Sequence, residues 1–154
     1  MAFSDSQRAE GRHVEWATPT TTKHELIAEF GTFDLDVATM AHNPMDATRF
    51  FTESDDGLKQ TWTGQNVYMN PPYGRVITQW VQYAIDQYEA GHAKQIVMLL
   101  PSRTDTKWFH LLYNHPHAEL RFYRGRLRFN DAKPAPMPSV LIVLRSPDET
   151  IENE

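Results

Sequence analysis

The sequence predicts an α/β fold with an open, mostly parallel sheet and flanking helices. Two continuous apolar runs, at 94–101 and 139–145, are typical of strands that are buried on both faces. An amphipathic pattern with helical spacing covers 75–91. Because strand-like and helix-like segments alternate along the chain, we expect right-handed crossovers between neighbouring parallel strands.

Length and composition indicate a single domain. The chain has 154 residues, of which 40% are hydrophobic, enough for one core. We predict a domain at 14–146, a flexible polar N-terminus at 1–13 and an acidic tail at 147–154. The absence of cysteine excludes disulfides and thiolate metal sites, and the histidines lack metal-ligand spacing. No signal peptide or membrane-length apolar run is visible, so we expect a soluble cytoplasmic protein with no bound metal and no membrane contact.

The first half of the chain contains one predicted helix and two predicted strands. The helix covers 18–31, with Thr20 to Thr22 as candidate caps and Gly31 at its end. The strands cover 32–39 and 66–69. Residues 41–65 contain several turn-forming pairs, so we expect them to be irregular.

The second half alternates more regularly. A helix at 75–91 precedes the buried strand at 94–101, and a second helix is predicted at 105–115, capped by Thr104 or Asp105. Residues 118–130 are interpreted as two short strands that meet at a kink at Gly125. The last strand is the apolar run at 139–145.

The stretch Asn70-Pro71-Pro72-Tyr73 lies between a predicted strand and a predicted helix. It should therefore lie at the carboxyl edge of the sheet, where open α/β proteins bind ligands. The prolines fix the corner, the Asn70 side chain and the Pro71 peptide offer two carbonyl acceptors, and Tyr73 offers a flat ring. Two acceptors beside a stacking surface suit an exocyclic aromatic amine that develops positive charge as it attacks an electrophile. An ordinary turn is the alternative.

Charge is distributed unevenly along the chain. The net charge of −5 argues against a generic nucleic-acid binder. However, residues 1–100 carry 7 Lys or Arg against 13 Asp or Glu, whereas residues 101–146 carry 8 against 3. Phosphate contacts should therefore use the second region, although a solvated face is the alternative. The candidate DNA-contacting residues are Arg103, Lys107, Arg124, Arg126 and Arg128.

Asn-Pro-Pro-Tyr is the signature of S-adenosylmethionine-dependent amino-methyltransferases. Together with "EWATPTTT", "FDLDVAT" and "DDGLKQTW", it makes residues 14–144 resemble the small phage-type DNA N6-adenine methyltransferases. The resemblance implies a reduced Rossmann-like methyltransferase fold, S-adenosylmethionine as cofactor, DNA as partner, and action in the cytoplasm of a bacterial host. Residues 70–73 would hold the target adenine amine. The cofactor-binding residues that it implies are Trp16, Thr18, Pro19, Asp34, Asp36, Ala38 and Asp56.

One departure from larger methyltransferases concerns the cofactor. No Gly-rich turn follows Asp36, and only 28 residues separate Ala38 from Val67, too few for two additional strand–helix units. The small phage-type enzymes are similarly reduced. The alternatives without a ligand role are a flanking position for the aspartates at 34 and 36, a plain turn at 55–57, and core packing of Trp16.

Two other functions are compatible with these residues. The same corner would accept cytosine N4, an RNA base or a glutamine side-chain amide. A catalytically silent relative that binds nucleic acid or a host protein is the second alternative, suggested by the missing Gly-rich turn. Because no separate target-recognition domain fits in the chain, we expect a short sequence preference read by loops at 101–107 and 130–138. A homodimer would supplement the small DNA-contacting surface.

Overall fold

Three helices and six strands follow one another in the computed structural model, which describes residues 17–129, 134–135 and 137–147. No helix within these ranges is both long and apolar enough to cross a membrane. The predictions for 1–13 and for most of the acidic tail lie outside the described residues. In chain order the elements are α1 (Thr20–Phe30), β1 (Leu35–Thr39), β2 (Arg49–Thr52), a 3₁₀ turn (Gly57–Lys59), β3 (Val67–Met69), α2 (Ile77–Glu89), β4 (Ile96–Pro101), α3 (Lys107–Tyr113), β5 (Ala118–Phe122) and β6 (Ser139–Leu144).

The strands form one sheet in the order β2-β1-β3-β4-β6-β5. Strands β1 to β4 pair in parallel, whereas β6 is antiparallel to both of its neighbours. The carboxyl ends of β1 to β5 therefore share one edge of the sheet, and the mostly parallel α/β sheet is confirmed. Since β2 and β3 lie on opposite sides of β1, the strand order reverses there, and a crevice is expected at the carboxyl end of β1.

Helices cover both faces of the sheet. On one face, α2 and α3 pack through Trp80, Val81 and Trp108 on alternate residues of the central strands. On the other face, α1 and the loop at 45–47 cover Tyr68, Val97 and Leu99 together with their neighbours. This alternation places odd-numbered residues of β1 and β3 against α2, and Asp36 and Tyr68 on the face of α1.

Two predicted regions were wrong. Residues 41–65, which were predicted to be irregular, contain a strand and a 3₁₀ turn. The prediction missed β2 because it is a four-residue edge strand that pairs only with β1 and lacks a clear alternation. In the predicted region at 118–130, the described residues 118–129 form one strand instead of two: β5 ends at Phe122, and Gly125 has a φ of +71°, which an extended strand does not adopt. The chain leaves the sheet at that point.

The predicted helix caps also shifted. Pro19 occupies the position before α1 and its side chain makes no capping hydrogen bond, while Thr22 is buried within the helix. Helix α3 is capped by Thr106, two residues after Thr104, and its hydroxyl accepts a hydrogen bond of 3.3 Å from the Phe109 amide. Gly31, with a φ of +85°, ends α1 as expected.

Candidate active site

The Asn-Pro-Pro-Tyr corner lies directly after β3, at the shared carboxyl edge of the sheet. Pro71 is buried, whereas Asn70 and Pro72 are half-buried and border a cavity. The side-chain carbonyl oxygen of Asn70 is itself buried. The corner therefore forms part of the wall of a hollow.

A first cavity of about 360 Å³, including its opening to solvent, lies between the ends of β1 and β3. Residues from β1, from β3 and from the segment before α1 line it together. They are Ala17, Thr18, Asp36, Ala38, Thr39, Met40, Pro44, Met45, Tyr68, Asn70, Pro71 and Pro72.

A second cavity of about 540 Å³, again including its opening, lies between β1, the 3₁₀ turn and α2. Ala38 and Pro72 belong to the lining of both cavities, so the two adjoin around the end of β1. The wall of the second cavity is largely apolar, with three acidic or hydroxyl side chains at its rim. Its residues are Val37, Ala38, Thr52, Glu53, Asp56, Gly57, Leu58, Pro72, Val76 and Trp80.

Asp36 is the buried carboxyl group of the first cavity, with 1% of its surface exposed. Burial raises its pKa from 3.8 to about 7, opposed by hydrogen bonds from the Ala38 amide and the Thr39 side chain. Within the described part of the chain, no basic side chain forms an ion pair with it. A ligand that carries a positive charge would supply the missing partner.

Asp34 is not part of the crevice, contrary to the prediction. It precedes β1 and therefore lies at the opposite edge of the sheet, where its carboxylate accepts hydrogen bonds from the backbone amides of Gln65 and Asn66. These bonds hold the chain segment that leads into β3. Asp34 is therefore a structural residue that fixes the start of β3 beside β1.

The three acidic residues that follow β2 have two different positions. Asp55 accepts hydrogen bonds from the Thr52 amide (2.8 Å) and hydroxyl (3.1 Å), and these bonds stabilise a turn. Asp56 lines the second cavity, with a left-handed φ of 55°, and so does Glu53. Sequence reasoning missed Glu53 because it missed β2: an acidic residue directly after a parallel strand is the signal that would have indicated it.

Tyr73 is oriented with its hydroxyl group towards the protein interior. The hydroxyl oxygen is buried, and the ring meets Phe129 edge-on at 6.1 Å between centroids. Burial raises the pKa of Tyr73 well above its usual range, opposed by the neighbouring Ser139 side chain. The ring therefore connects the corner to the segment after β5, and only part of it is accessible.

The predicted segment before α1 is described only in part. Trp16 lies outside the described residues. Thr18 lines the first cavity, whereas Pro19 is buried just before the helix and is not part of the lining. Tyr68, which the sequence analysis read only as part of a strand, also lines this cavity and shares a hydrogen bond of 2.6 Å with the Thr18 hydroxyl.

The five candidate DNA-contacting residues lie at the carboxyl ends of β4 and β5, the edge that also carries Asn70. Arg103 and Lys107 follow β4, and all five side chains are exposed. The prediction placed the three arginines at 124, 126 and 128 on a strand, but they lie on the loop that follows β5. Phe129 fixes the end of that loop against Tyr73.

Two solved structures with a similar fold are methyltransferases. The 23S rRNA methyltransferase ErmE superimposes with a TM-score of 0.56 at 13% identity, over 84% of this chain and 69% of that one. A dimethyladenosine transferase from Plasmodium falciparum gives a TM-score of 0.56 at 11% identity, over 88% and 64%. The chain thus has a Rossmann-like methyltransferase fold, as the sequence predicted.

The family is defined more narrowly by sequence. The family model described as DNA N-6-adenine-methyltransferase (Dam) matches residues 5–144. The chain belongs to this family.

Two curated phage relatives agree with the family assignment. The DNA N-6-adenine-methyltransferase of Escherichia phage T1 is 37% identical over 95 residues, 61% of this chain and 38% of that protein. The DNA N-6-adenine-methyltransferase of Haemophilus phage HP1 (strain HP1c1) is 34% identical over 115 residues, 74% of this chain and 65% of that protein. The matched stretch therefore spans less than two thirds of each relative.

Proposed function

We propose that this chain methylates the exocyclic N6 amine of adenine in DNA with S-adenosylmethionine as the methyl donor. The observation that carries the proposal is the position of Asn70, Pro71 and Pro72, at the carboxyl edge of β3 and on the wall of a cavity that adjoins a second one. Family membership supports the same reaction. A cofactor and a target base would then meet near Pro72, whose side chain borders both cavities.

The linings fit the chemistry of the cofactor. Leu58, Val76 and Trp80 give the second cavity apolar surface for a flat base, and Glu53 offers a carboxylate to sugar hydroxyl groups. Asp36 in the first cavity suits a positively charged group. When bound, S-adenosylmethionine supplies an electrophilic methyl group.

The corner would prepare the amine for attack. The Asn70 side-chain carbonyl and the Pro71 peptide carbonyl accept the two N–H groups of the target, drawing its nitrogen from planar towards tetrahedral geometry. Both oxygens then stabilise the positive charge that develops on nitrogen. The accessible part of the Tyr73 ring stacks on the base. The alkylated ammonium is acidic, so a strong base is not needed to remove its proton.

The target base would leave the duplex, because its amine is otherwise occupied in pairing. The exposed cations after β4 and β5 would hold the phosphates at the same edge. A short recognition sequence read by the loop at 101–107, a homodimer, and action in the host cytoplasm belong to the same proposal. The second recognition loop, at 130–138, lies largely outside the described residues.

The test is methyl transfer from tritiated S-adenosylmethionine to DNA, followed by identification of the labelled base. We expect N6-methyladenine. Label in cytosine, in RNA or in a protein amide would show that another amine is the substrate. Cofactor binding without methyl transfer would indicate a catalytically silent relative.

Asn70→Ala tests the corner itself. Loss of one acceptor on the developing charge should lower kcat about a hundredfold or more, with little change in the Kd for S-adenosylmethionine. Asn114→Ala is the matched control, because this exposed asparagine ends α3 at the opposite edge of the sheet. Equal rates for Asn70→Ala and the wild type would remove the corner from the reaction.

A further inference from the structure

Tyr68 joins the centre of the sheet to the segment that precedes α1. Its side chain is 1% exposed, and its ring packs on Phe33 at 5.0 Å between centroids. Its hydroxyl lies 2.6 Å from the hydroxyl of Thr18, fifty residues earlier in the chain. This hydrogen bond therefore spans from β3 to a segment that has no place in the sheet.

Both partners of this hydrogen bond line the first cavity. Ala17 and Thr18 form one part of the wall that lies outside the sheet, and Met40, Pro44 and Met45 form another, while Tyr68 and its register partner Asp36 form the floor on neighbouring strands. The position of residues 17–18 therefore contributes to how closed the cavity is. A buried phenol needs a hydrogen-bond partner, and Thr18 reaches Tyr68 only when this segment lies against the sheet.

Tyr68 has no charge to contribute. Burial raises its pKa well above the usual range; the Thr18 hydroxyl opposes this, and the nearby Asp36 carboxyl adds to it. The phenol stays protonated, so it does not act as a base. Its hydroxyl acts as a neutral hydrogen-bonding group.

We propose that Tyr68 is a positioning residue that holds residues 17–18 over the first cavity and thereby determines how tightly the cofactor binds. The inference rests on the proposed function, because it takes this cavity as part of the S-adenosylmethionine site. It assigns Tyr68 to cofactor affinity and not to the transfer step, which the corner at Asn70 performs.

The experiment compares Tyr68→Phe, Thr18→Val and the double variant. Each single change should raise both the Kd and the KM for S-adenosylmethionine about two- to tenfold. This range corresponds to the free energy of one neutral hydrogen bond. At saturating cofactor, kcat should stay within about twofold of the wild type. Because both changes remove the same hydrogen bond, the double variant should bind S-adenosylmethionine no more weakly than either single variant. Thr18→Ser, which keeps the hydroxyl, should restore the affinity.

Tyr88→Phe is the matched control. It removes a phenol hydroxyl that makes a 2.7 Å hydrogen bond to His117 Nδ1, outside the linings of both cavities. It should lower Tm without changing the Kd. If Tyr68→Phe lowered only Tm, or lowered kcat at an unchanged Kd, or if the two single effects added, the proposal would be overturned.

Hydrogen exchange on the ligand-free chain separates this inference from the proposed function. The amides of residues 17–18 should exchange faster in Tyr68→Phe than in the wild type or in Tyr88→Phe. Unchanged exchange would show that the bond does not hold the segment. A wild type that binds no S-adenosylmethionine would overturn the proposed function and with it the cofactor role of Tyr68, while the exchange comparison would still decide whether Tyr68 holds the segment.

Discussion

A buried carboxyl group such as that of Asp36 lowers the stability of a fold unless charged or hydrogen-bonding partners offset its loss of water. The side chain lies on β1 beside Tyr68, under the first cavity, and its only described hydrogen-bond donors are the amide of Ala38 and the side chain of Thr39. Two such bonds do not offset the loss of water around a carboxylate. The residue is therefore best explained by a cationic ligand, which is the role proposed for it here.

Asp36→Asn should change how stability depends on pH. Since the pKa of Asp36 is raised to about 7 from 3.8, the folded state binds more protons than the unfolded state between these values. The wild type should therefore lose stability as pH rises from about 4 to 7, by at most about 4 kcal/mol from this group, and the loss should level off above pH 7. Asn cannot ionise, so this loss should be missing in the variant.

The measurement is the free energy of unfolding by urea from pH 4 to pH 8 for both proteins. The gap in favour of Asp36→Asn should be smallest at pH 4 and open towards pH 8. Asp86→Asn, an exposed site on α2, serves as control and should leave the profile unchanged. If the difference in the free energy of unfolding between the two proteins became smaller with rising pH, ionised Asp36 would stabilise the fold, contrary to this prediction.

At the scale of elements, the second cavity depends on how closely the 3₁₀ turn approaches β1. A Cβ atom at Gly57 would lie 2.3 Å from the Val37 carbonyl oxygen and 2.8 Å from the Trp80 ring. The same turn is also held by Trp62, whose indole donates a 2.8 Å hydrogen bond to the Gly57 carbonyl. Gly57 is therefore required by space, not by its backbone angles.

Gly57→Ala should push the turn away from β1, since the backbone carbonyl of Val37 cannot yield. We expect a loss of about 1–3 kcal/mol in the free energy of unfolding, together with weaker cofactor binding. Gly91→Ala is the control: its φ of +83° makes alanine strained there, but nothing lies within 4 Å of the new Cβ. It should lower Tm and leave the cofactor Kd unchanged. Equal cofactor affinity in Gly57→Ala and the wild type would separate the turn from the site.

Elements that are defined by their local sequence pattern could be predicted, whereas elements that are defined by tertiary pairing could not. The buried strands and α2 have long apolar patterns, so their positions, and with them the corner at 70–73, could be predicted from local sequence. Strand β2 has one exposed and three half-exposed residues and is defined by its pairing with β1, which the local pattern does not show. Missing β2 meant missing Glu53, and the more conspicuous acidic pair at 55–56 was selected in its place.

Asp34 and Tyr68 show the same limit in tertiary contacts. The carboxylate of Asp34 binds amides thirty-one and thirty-two residues away, and the hydroxyl of Tyr68 binds a side chain fifty residues away. The charges inside an apolar run predicted ligand contact at both 34 and 36, and only Asp36 lines a cavity. Which edge of the sheet each carboxylate faces became visible only in the fold.

At the scale of the whole molecule, the acidic total conceals a basic edge. The carboxyl ends of β4 and β5 lead into segments that carry Arg103, Lys107 and the three arginines of the loop after β5, all exposed at the edge that also carries the corner. The opposite edge carries Arg145, which pairs with Glu119. The charge asymmetry along the sequence thus becomes an asymmetry in space, which orients a polyanion towards one edge.

Arg126→Ala combined with Arg128→Ala tests this edge through the salt dependence of DNA binding. If each arginine neutralises one phosphate, the slope of log K against log salt should fall in magnitude by about 2, and affinity should drop for every sequence alike. Lys94→Ala combined with Arg145→Ala removes the same charge from the opposite edge, where Lys94 precedes β4 and Arg145 follows β6. A purely global effect of net charge would change both double variants equally, whereas contact at the basic edge changes only the first. If the first variant kept the wild-type slope, these arginines would form a solvated loop, and the DNA would have to be held by the residues after β4.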